Sequence, residues 1–202
     1  MDNTNLLFFA VTVLPLICTP GPDILFVASQ TLSGGAAAGL RATAGVCLGY
    51  VLHSALVALG VAAIIATSPV LFAALRWLGA IYLIYLAIRL IRSSMKSGRL
   101  TLFATAGTNQ LQQGFLTALL NPKGMMIYFA ILPQFMQHED NIALQAYVLS
   151  AIFIGLCAAI YTMLSFVIAA VGAHGRFNDR RRRWIEGIAG GLLLVAAGRL
   201  AA

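Results

Sequence analysis

Two apolar segments of this sequence each carry an ionisable side chain directly after residues that break a helix. The first group is Thr19-Pro20-Gly21-Pro22-Asp23. Prolines lack an amide donor and clash with the preceding turn, and glycine adds backbone freedom, so the helix must open here. Unpaired carbonyl groups cost several kcal/mol each in hydrocarbon, so the opening must face protein or a water-filled cavity. Asp23 then begins the next helical piece, where the helix dipole favours a carboxylate that can cap free amides.

The second group is Asn121-Pro122-Lys123-Gly124. Pro122 removes an amide donor, and the Asn121 side chain can bond to freed backbone groups. Lys123 lies about 12 residues, or about 18 Å of helix, from either end of its apolar run. An ionisable group at that depth costs at least roughly 2.5–3.5 kcal/mol, which makes Lys123 a candidate functional residue. Asp23 and Lys123 could pair, either within a binding site or as a static link between the two halves of the chain. The other interpretation is that both proline kinks serve only helix packing.

A third candidate is His53. Gly45, Gly49 and His53 follow one another at four-residue spacing and therefore share one face of a helix. Small residues at this spacing let a neighbouring helix approach closely, so we expect His53 to face protein. A histidine there could carry protons, or it could simply bond to a backbone carbonyl group across the contact.

The composition indicates a membrane as the environment of these residues. Of 202 residues, 60% are hydrophobic and 9% are charged, whereas soluble domains have roughly 45–50% and roughly 25%. This excludes a typical soluble enzyme and a disordered protein. The chain has about 121 apolar residues, enough for about six spanning helices of roughly 20 residues each. The net charge of +7 comes from loop residues, so we expect contact with membrane lipid and no nucleic-acid partner.

The sequence therefore predicts a single all-α integral membrane domain, 1–202, with six transmembrane helices. The apolar segments are residues 6–32, 36–66, 70–91, 111–136, 142–173 and 184–202, with a Ser33-Gly34-Gly35 turn between the first two. A linker at 92–110 divides the chain into three-helix halves, 1–98 and 99–202, and an odd number of spans inverts the second half. The first and fourth helices are broken by proline. Interrupted helices in corresponding positions are the best sequence indication of a transport site.

The basic residues predict the orientation. Ten of the 13 lysines and arginines lie in the loops on one side of the six predicted spans. We therefore expect the loops at 89–99 and 176–183 to be cytoplasmic and both termini to lie outside. Small-residue faces on the fifth and sixth helices predict either helix packing within the chain or a homodimer contact; they consist of Ala151, Gly155, Ala159, Gly187 and Gly191.

Several of these motifs together resemble the LysE/RhtB family of amino-acid exporters, in particular its threonine- and homoserine-efflux members. They are Pro20-Gly21-Pro22-Asp23, the glycine- and alanine-rich run 34–49, Gly114-Phe115-Leu116, Asn121-Pro122-Lys123 and Leu132-Pro133-Gln134-Phe135. The resemblance covers essentially the whole chain. It implies efflux of amino acids or close derivatives across the bacterial inner membrane, coupled to protons by antiport. It leaves the substrate open among basic, neutral and hydroxylated amino acids.

The leading hypothesis is a secondary exporter without enzymatic activity, cofactor or bound metal. Amide donors near Pro22-Asp23, together with Lys123, would bind the carboxylate of a zwitterion, and Asp23 with open carbonyl groups would bind its ammonium. Asp23 would carry the coupling proton, with His53 as a second candidate. The residues that we expect at the binding and translocation site are Pro20, Gly21, Pro22, Asp23, Asn121, Pro122 and Lys123.

Three other functions stay open at this point. A metal or inorganic-ion exporter would need several carboxylate, histidine or thiolate ligands. A membrane redox carrier would use cysteines at the breaks, where the chain offers Cys18 beside the first break and none in the fourth helix. A non-transporting membrane protein is the third.

Overall fold

The structure is a computed structural model of the chain. It describes residues 3–60, 109–136 and 141–171 continuously, and single residues between 70 and 95 and between 183 and 198. The elements found in these continuous ranges are all helical. By length and composition alone, two of the helices, Pro22–Ala58 and Ile142–Val171, are long and apolar enough to cross a membrane, and a bent pair within 110–135 would make a third span. The predicted third and sixth spans and the linker lie largely outside the described residues, so the count of six and the inverted halves stay predictions.

Helix α1 (Asn3–Cys18) and helix α2 (Pro22–Ala58) are separated by the first break. Gly21 precedes α2 in an extended conformation, and Pro22 takes the first helical position. A proline fits there because the amide hydrogen of that position has no partner within the helix. The break therefore falls where the two prolines predict it.

Helix α2 reverses direction at Gly35, whose φ of 74° and ψ of −172° are not helical. A Cβ atom added to Gly39 would overlap the hydroxyl oxygen of Thr31. In a continuous helix these two residues would be about 12 Å apart. The arms 22–34 and 36–58 therefore fold back on each other, with the reversal inside the turn predicted at 33–35.

The second break separates helix α3 (Gln110–Leu119) from helix α4 (Pro122–Met126). The axis of the apolar segment bends by 48° between 110–119 and 122–135. A wide π-helical turn (Ile127–Ile131) and a 3₁₀ turn (Leu132–Phe135) continue α4. Pro133 lacks the amide hydrogen that a regular α-helix would need at that point, which favours this irregular ending. The sequence predicts the break at Asn121-Pro122 but not the π-helical turn.

Helix α2 packs mainly against α3 and against the long helix α5 (Ile142–Val171). The contact with α3 brings the two backbones together. A Cβ atom on Gly45 would overlap the carbonyl oxygen of Leu111, and one on Gly114 would overlap that of Ala42. The small-residue face predicted on the second helix therefore lies at a helix contact, and it brings the C-terminal arm of α2 against the second break.

Candidate functional site

The Asp23 carboxylate lies in the first turn of α2 and is fully buried. Asn121 Nδ2 donates a 2.7 Å hydrogen bond to Asp23 Oδ2, and the Tyr50 hydroxyl group donates to the same oxygen. The other oxygen, Oδ1, is buried and has no hydrogen-bond partner among the described residues. Asp23 thus joins both arms of α2 to the second break and keeps one acceptor for a further donor.

Asn121 uses both ends of its side-chain amide. Its Oδ1 accepts a 3.0 Å bond from the backbone amide of Lys123 and so caps α4, while Nδ2 donates to Asp23. Pro122 occupies the first position of α4, as Pro22 does in α2. The Asn121 side chain therefore pairs a backbone amide that the break leaves free, and it also bonds to Asp23 in the first break.

The Lys123 ammonium group lies on the first break. Its Nζ donates 3.0 Å bonds to the carbonyl oxygens of Leu16 and Thr19. In a continuous helix the amide of residue 20 would pair with the Leu16 carbonyl group, and Pro20 has no amide hydrogen to give. Lys123 replaces that missing donor.

Asp23 and Lys123 do not bond directly to each other, either as part of a binding site or as a static link between the halves. The two side chains lie near each other, but Asp23 is hydrogen-bonded to Asn121 and Tyr50, and Lys123 to backbone carbonyl groups. The Asp23 carboxylate accepts from Tyr50 and Asn121 through Oδ2, and Oδ1 has no partner among the described residues, so it does not cap a backbone amide of α2. The direct partner of Asp23 from the second break is therefore Asn121, and Lys123 caps the end of α1.

The two breaks share one local plan. In each, a capping residue is followed by proline at the first helical position and a charged residue at the second. Gly21, Pro22 and Asp23 hold these positions in the first break. Asn121, Pro122 and Lys123 hold them in the second. Six of the seven residues predicted for the site therefore lie in two equivalent turns that contact each other, and Pro20 precedes the first of these turns.

His53 is buried beside the second break. Its Nε2 lies 3.4 Å from the carbonyl oxygen of Ala118, and its ring stacks on Tyr128 with centroids 5.4 Å apart. The rings of Tyr50 and Tyr128 also stack, at 5.9 Å, and Phe153 packs edge-on against both. His53 therefore faces protein and stacks on an aromatic wall next to Asp23, formed by Tyr50, Tyr128 and Phe153, without bonding to that carboxylate.

Tyr50 is the residue of this site that the sequence did not single out. The available signal is Gly124, the last residue of the second motif. A Cβ atom on Gly124 would lie 2.7 Å from Tyr50 Cε1, so the glycine makes room for the tyrosine ring. Among the described residues, no three His, Cys, Asp or Glu side chains are placed to hold a metal ion, and the three cysteines are free thiols.

Known proteins resemble this chain over nearly its whole length. The family model of the LysE type translocator matches residues 14–202. An uncharacterised membrane protein of Pseudomonas aeruginosa is 30% identical over 94% of this chain and 89% of its own length. A leucine efflux protein of Klebsiella pneumoniae is 29% identical over 89% of this chain and 84% of its own. An uncharacterised membrane protein of Bacillus subtilis is 29% identical, with 90% and 87% covered.

No solved structure shows significant similarity to the chain. The family match therefore rests on sequence, and the matched range includes both breaks, Asp23, Lys123 and the aromatic wall. That extent confirms what the two motifs indicated: this membrane protein belongs to the LysE type translocator family.

Proposed function

We propose that this protein is a secondary active exporter of amino acids or close derivatives in the bacterial inner membrane, driven by proton antiport. Membership of a translocator family and relatives named leucine efflux proteins support the proposal. The single observation that carries it is the hydrogen bond from Asn121 to Asp23, which links two proline-broken helices through buried polar groups. Broken helices that meet in this way are the usual construction of a substrate site in secondary transporters.

The proposed architecture is six transmembrane helices in two inverted halves, 1–98 and 99–202. The shared plan of the two breaks supports an internal two-fold relation. The loops at 89–99 and 176–183 would be cytoplasmic and both termini outside, following the distribution of basic residues. Rocking of one half against the other about the two breaks would expose the site to each side in turn.

The proposed substrate is a zwitterion held between the breaks. The Lys123 ammonium group and the backbone amides near Pro22-Asp23, at the start of α2, are donors suited to a carboxylate. Asp23 Oδ1, which is buried without a partner among the described residues, and the carbonyl groups opened at the first break are acceptors suited to an ammonium group. Pro20, Gly21, Pro22, Asp23, Asn121, Pro122 and Lys123 together form the proposed binding and translocation site.

A neutral side chain suits this site best. Asp23 and Lys123 would bind the ammonium and carboxylate groups of the substrate, so neither is left to pair with a charged substrate side chain. The nearby wall consists of Tyr50, Tyr128 and Phe153. Relatives named leucine efflux proteins agree with an apolar substrate side chain. Leucine and similar neutral amino acids are therefore the first substrates to test.

We assign the coupling proton to Asp23, with His53 as the second candidate. Asp23 contacts both arms of α2 and the second break, so a change in its charge would alter the bonds from Tyr50 and Asn121. His53 lies beside the same aromatic wall but bonds to the Ala118 carbonyl group. Asp23 is therefore better placed to link proton binding to movement of the halves.

The test is transport of a panel of labelled amino acids in proteoliposomes with an imposed pH gradient. We expect gradient-dependent movement of neutral amino acids by the wild type and its loss in Asp23→Asn and Lys123→Ala. Arg41→Gln, which removes an exposed charge from α2, is the control and should retain activity. Full activity in both site variants would refute the site, and no movement of any panel member would refute the exporter.

A further inference from the structure

We infer that the carbonyl oxygens of Leu16 and Thr19 form a binding site for a primary ammonium group, which Lys123 fills in this structure and the substrate's ammonium group fills during transport. The second part of this inference rests on the proposed function. The first part concerns the chain alone and stands on the geometry of the first break.

The site has two acceptors at the end of a helix. Both carbonyl oxygens lie 3.0 Å from Lys123 Nζ, an ordinary length for a charge-assisted hydrogen bond. Pro20 leaves the Leu16 carbonyl group without its helical donor, so this acceptor needs a partner from outside α1. The C-terminal end of a helix also carries partial negative charge, which favours a cation.

Gly21 provides the space for that cation. A Cβ atom on Gly21 would lie 3.1 Å from Lys123 Nζ and 3.3 Å from Cε, tighter than ordinary van der Waals contact. The backbone of Gly21 is extended, with φ of −157°, so any residue could adopt it. The absence of a side chain at this position therefore serves the ammonium group rather than the fold of the loop.

A zwitterion can exchange with Lys123 at little cost. Its carboxylate offers Lys123 a new acceptor, and its own ammonium group offers the two carbonyl oxygens the same kind of N–H donor that Lys123 withdraws. An amine without a carboxylate offers Lys123 nothing in return. Lys123 would thus exclude simple amines and admit amino acids, which makes it a specificity determinant as well as a ligand.

The experiment measures amine binding to purified protein by thermal unfolding, without transport. Lys123→Ala removes three methylene groups and the ammonium group, which n-propylammonium supplies. We expect propylammonium at saturating concentration to raise the Tm of Lys123→Ala by about 3 °C or more. Tetramethylammonium, which has the charge but no N–H donor, should have no effect, and neither salt should stabilise the wild type.

Lys123→Met, which keeps a side chain of the same length up to Cε, serves as a second variant if Lys123→Ala does not fold, and the ammonium ion is then the probe. No stabilisation of a folded variant by its amine, or equal stabilisation by tetramethylammonium, would overturn the inference. The result is separable from the proposed function: an amine response without amino-acid transport would retain the ammonium site and reject the exporter. Amino-acid transport without an amine response would do the reverse.

Discussion

His53 Nε2 lies 3.4 Å from the carbonyl oxygen of Ala118, the acceptor that residue 122 would serve if the helix were continuous. Proline at 122 cannot serve it. At the first break, Lys123 Nζ donates to the Leu16 carbonyl oxygen, which has no helical donor because residue 20 is a proline. The Leu16 carbonyl group thus takes its donor from the second break, whereas the Ala118 carbonyl group also accepts a 3.2 Å bond from the Asn121 amide, so that His53 is a second donor there.

The first prediction concerns His53. If it stabilises the second break, His53→Gln should keep a donor for the Ala118 carbonyl group and retain transport driven by a pH gradient. His53→Ala loses both that bond and the ring packed on Tyr128, so its free energy of unfolding should fall by about 2–4 kcal/mol. Thermal unfolding and gradient-driven flux of both variants are the measurements. A His53→Gln variant that folds normally but no longer responds to the gradient would make His53 the proton carrier.

The second prediction concerns the contact between α2 and α3. Gly45→Ala places a methyl group on the carbonyl oxygen of Leu111, and backbone atoms cannot move away as a flexible side chain can. We expect a loss of about 1–3 kcal/mol in the free energy of unfolding, seen as a lower Tm of the purified protein. The matched control is Gly155→Ala on α5, where an added Cβ has open space, and it should be neutral or slightly stabilising. Equal effects of the two substitutions would contradict the close approach.

The third prediction separates the Tyr50 hydroxyl group from its ring. Tyr50→Phe keeps the stacking with Tyr128 and the edge contact with Phe153 but removes a donor to Asp23. A hydrogen bond to a charged group is worth about 1.5–3 kcal/mol. We therefore expect a roughly 10–100-fold lower transport rate in proteoliposomes with little change in overall fold.

Tyr147→Phe is the matched control for this substitution, since Tyr147 is exposed on α5. Its transport rate should equal that of the wild type. If Tyr50→Phe also transports at the wild-type rate, the hydroxyl group has no part in the site and Asn121 alone positions Asp23.

The positions of the breaks could be predicted from sequence because their cause is local. A proline removes one donor and opens its own turn wherever the helix lies. The seven candidate residues at 20–23 and 121–123 could be chosen on that ground, and the structure brings the two groups into contact. The prediction that Asn121 could bond to freed backbone groups also follows from its short amide side chain, which reaches the Lys123 amide.

The partners of the charged groups could not be predicted in the same way. Tyr50 lies 27 residues from Asp23, which would be about 40 Å along a continuous helix. The turn at 33–35 could be predicted, but the register in which it places Tyr50 against Asp23 depends on how the two arms pack, which the order of residue types does not give. From the sequence, Asp23 is the obvious partner for the Lys123 ammonium group. In the fold, that group instead donates to two backbone carbonyl oxygens, and residue types alone do not reveal such acceptors.

The last prediction tests that reversal. Gly35 has φ of 74° and ψ of −172°, a region open almost only to glycine, and an added Cβ would meet nothing within 4 Å. Gly35→Ala therefore adds backbone strain without a clash and should cost about 1–3 kcal/mol of unfolding free energy. Because the reversal brings Tyr50 to Asp23, transport should fall together with Tm. Gly191→Ala, also with open space but no unusual φ, should change neither. A Gly35→Ala protein with normal Tm and flux would show that the arms need no such turn.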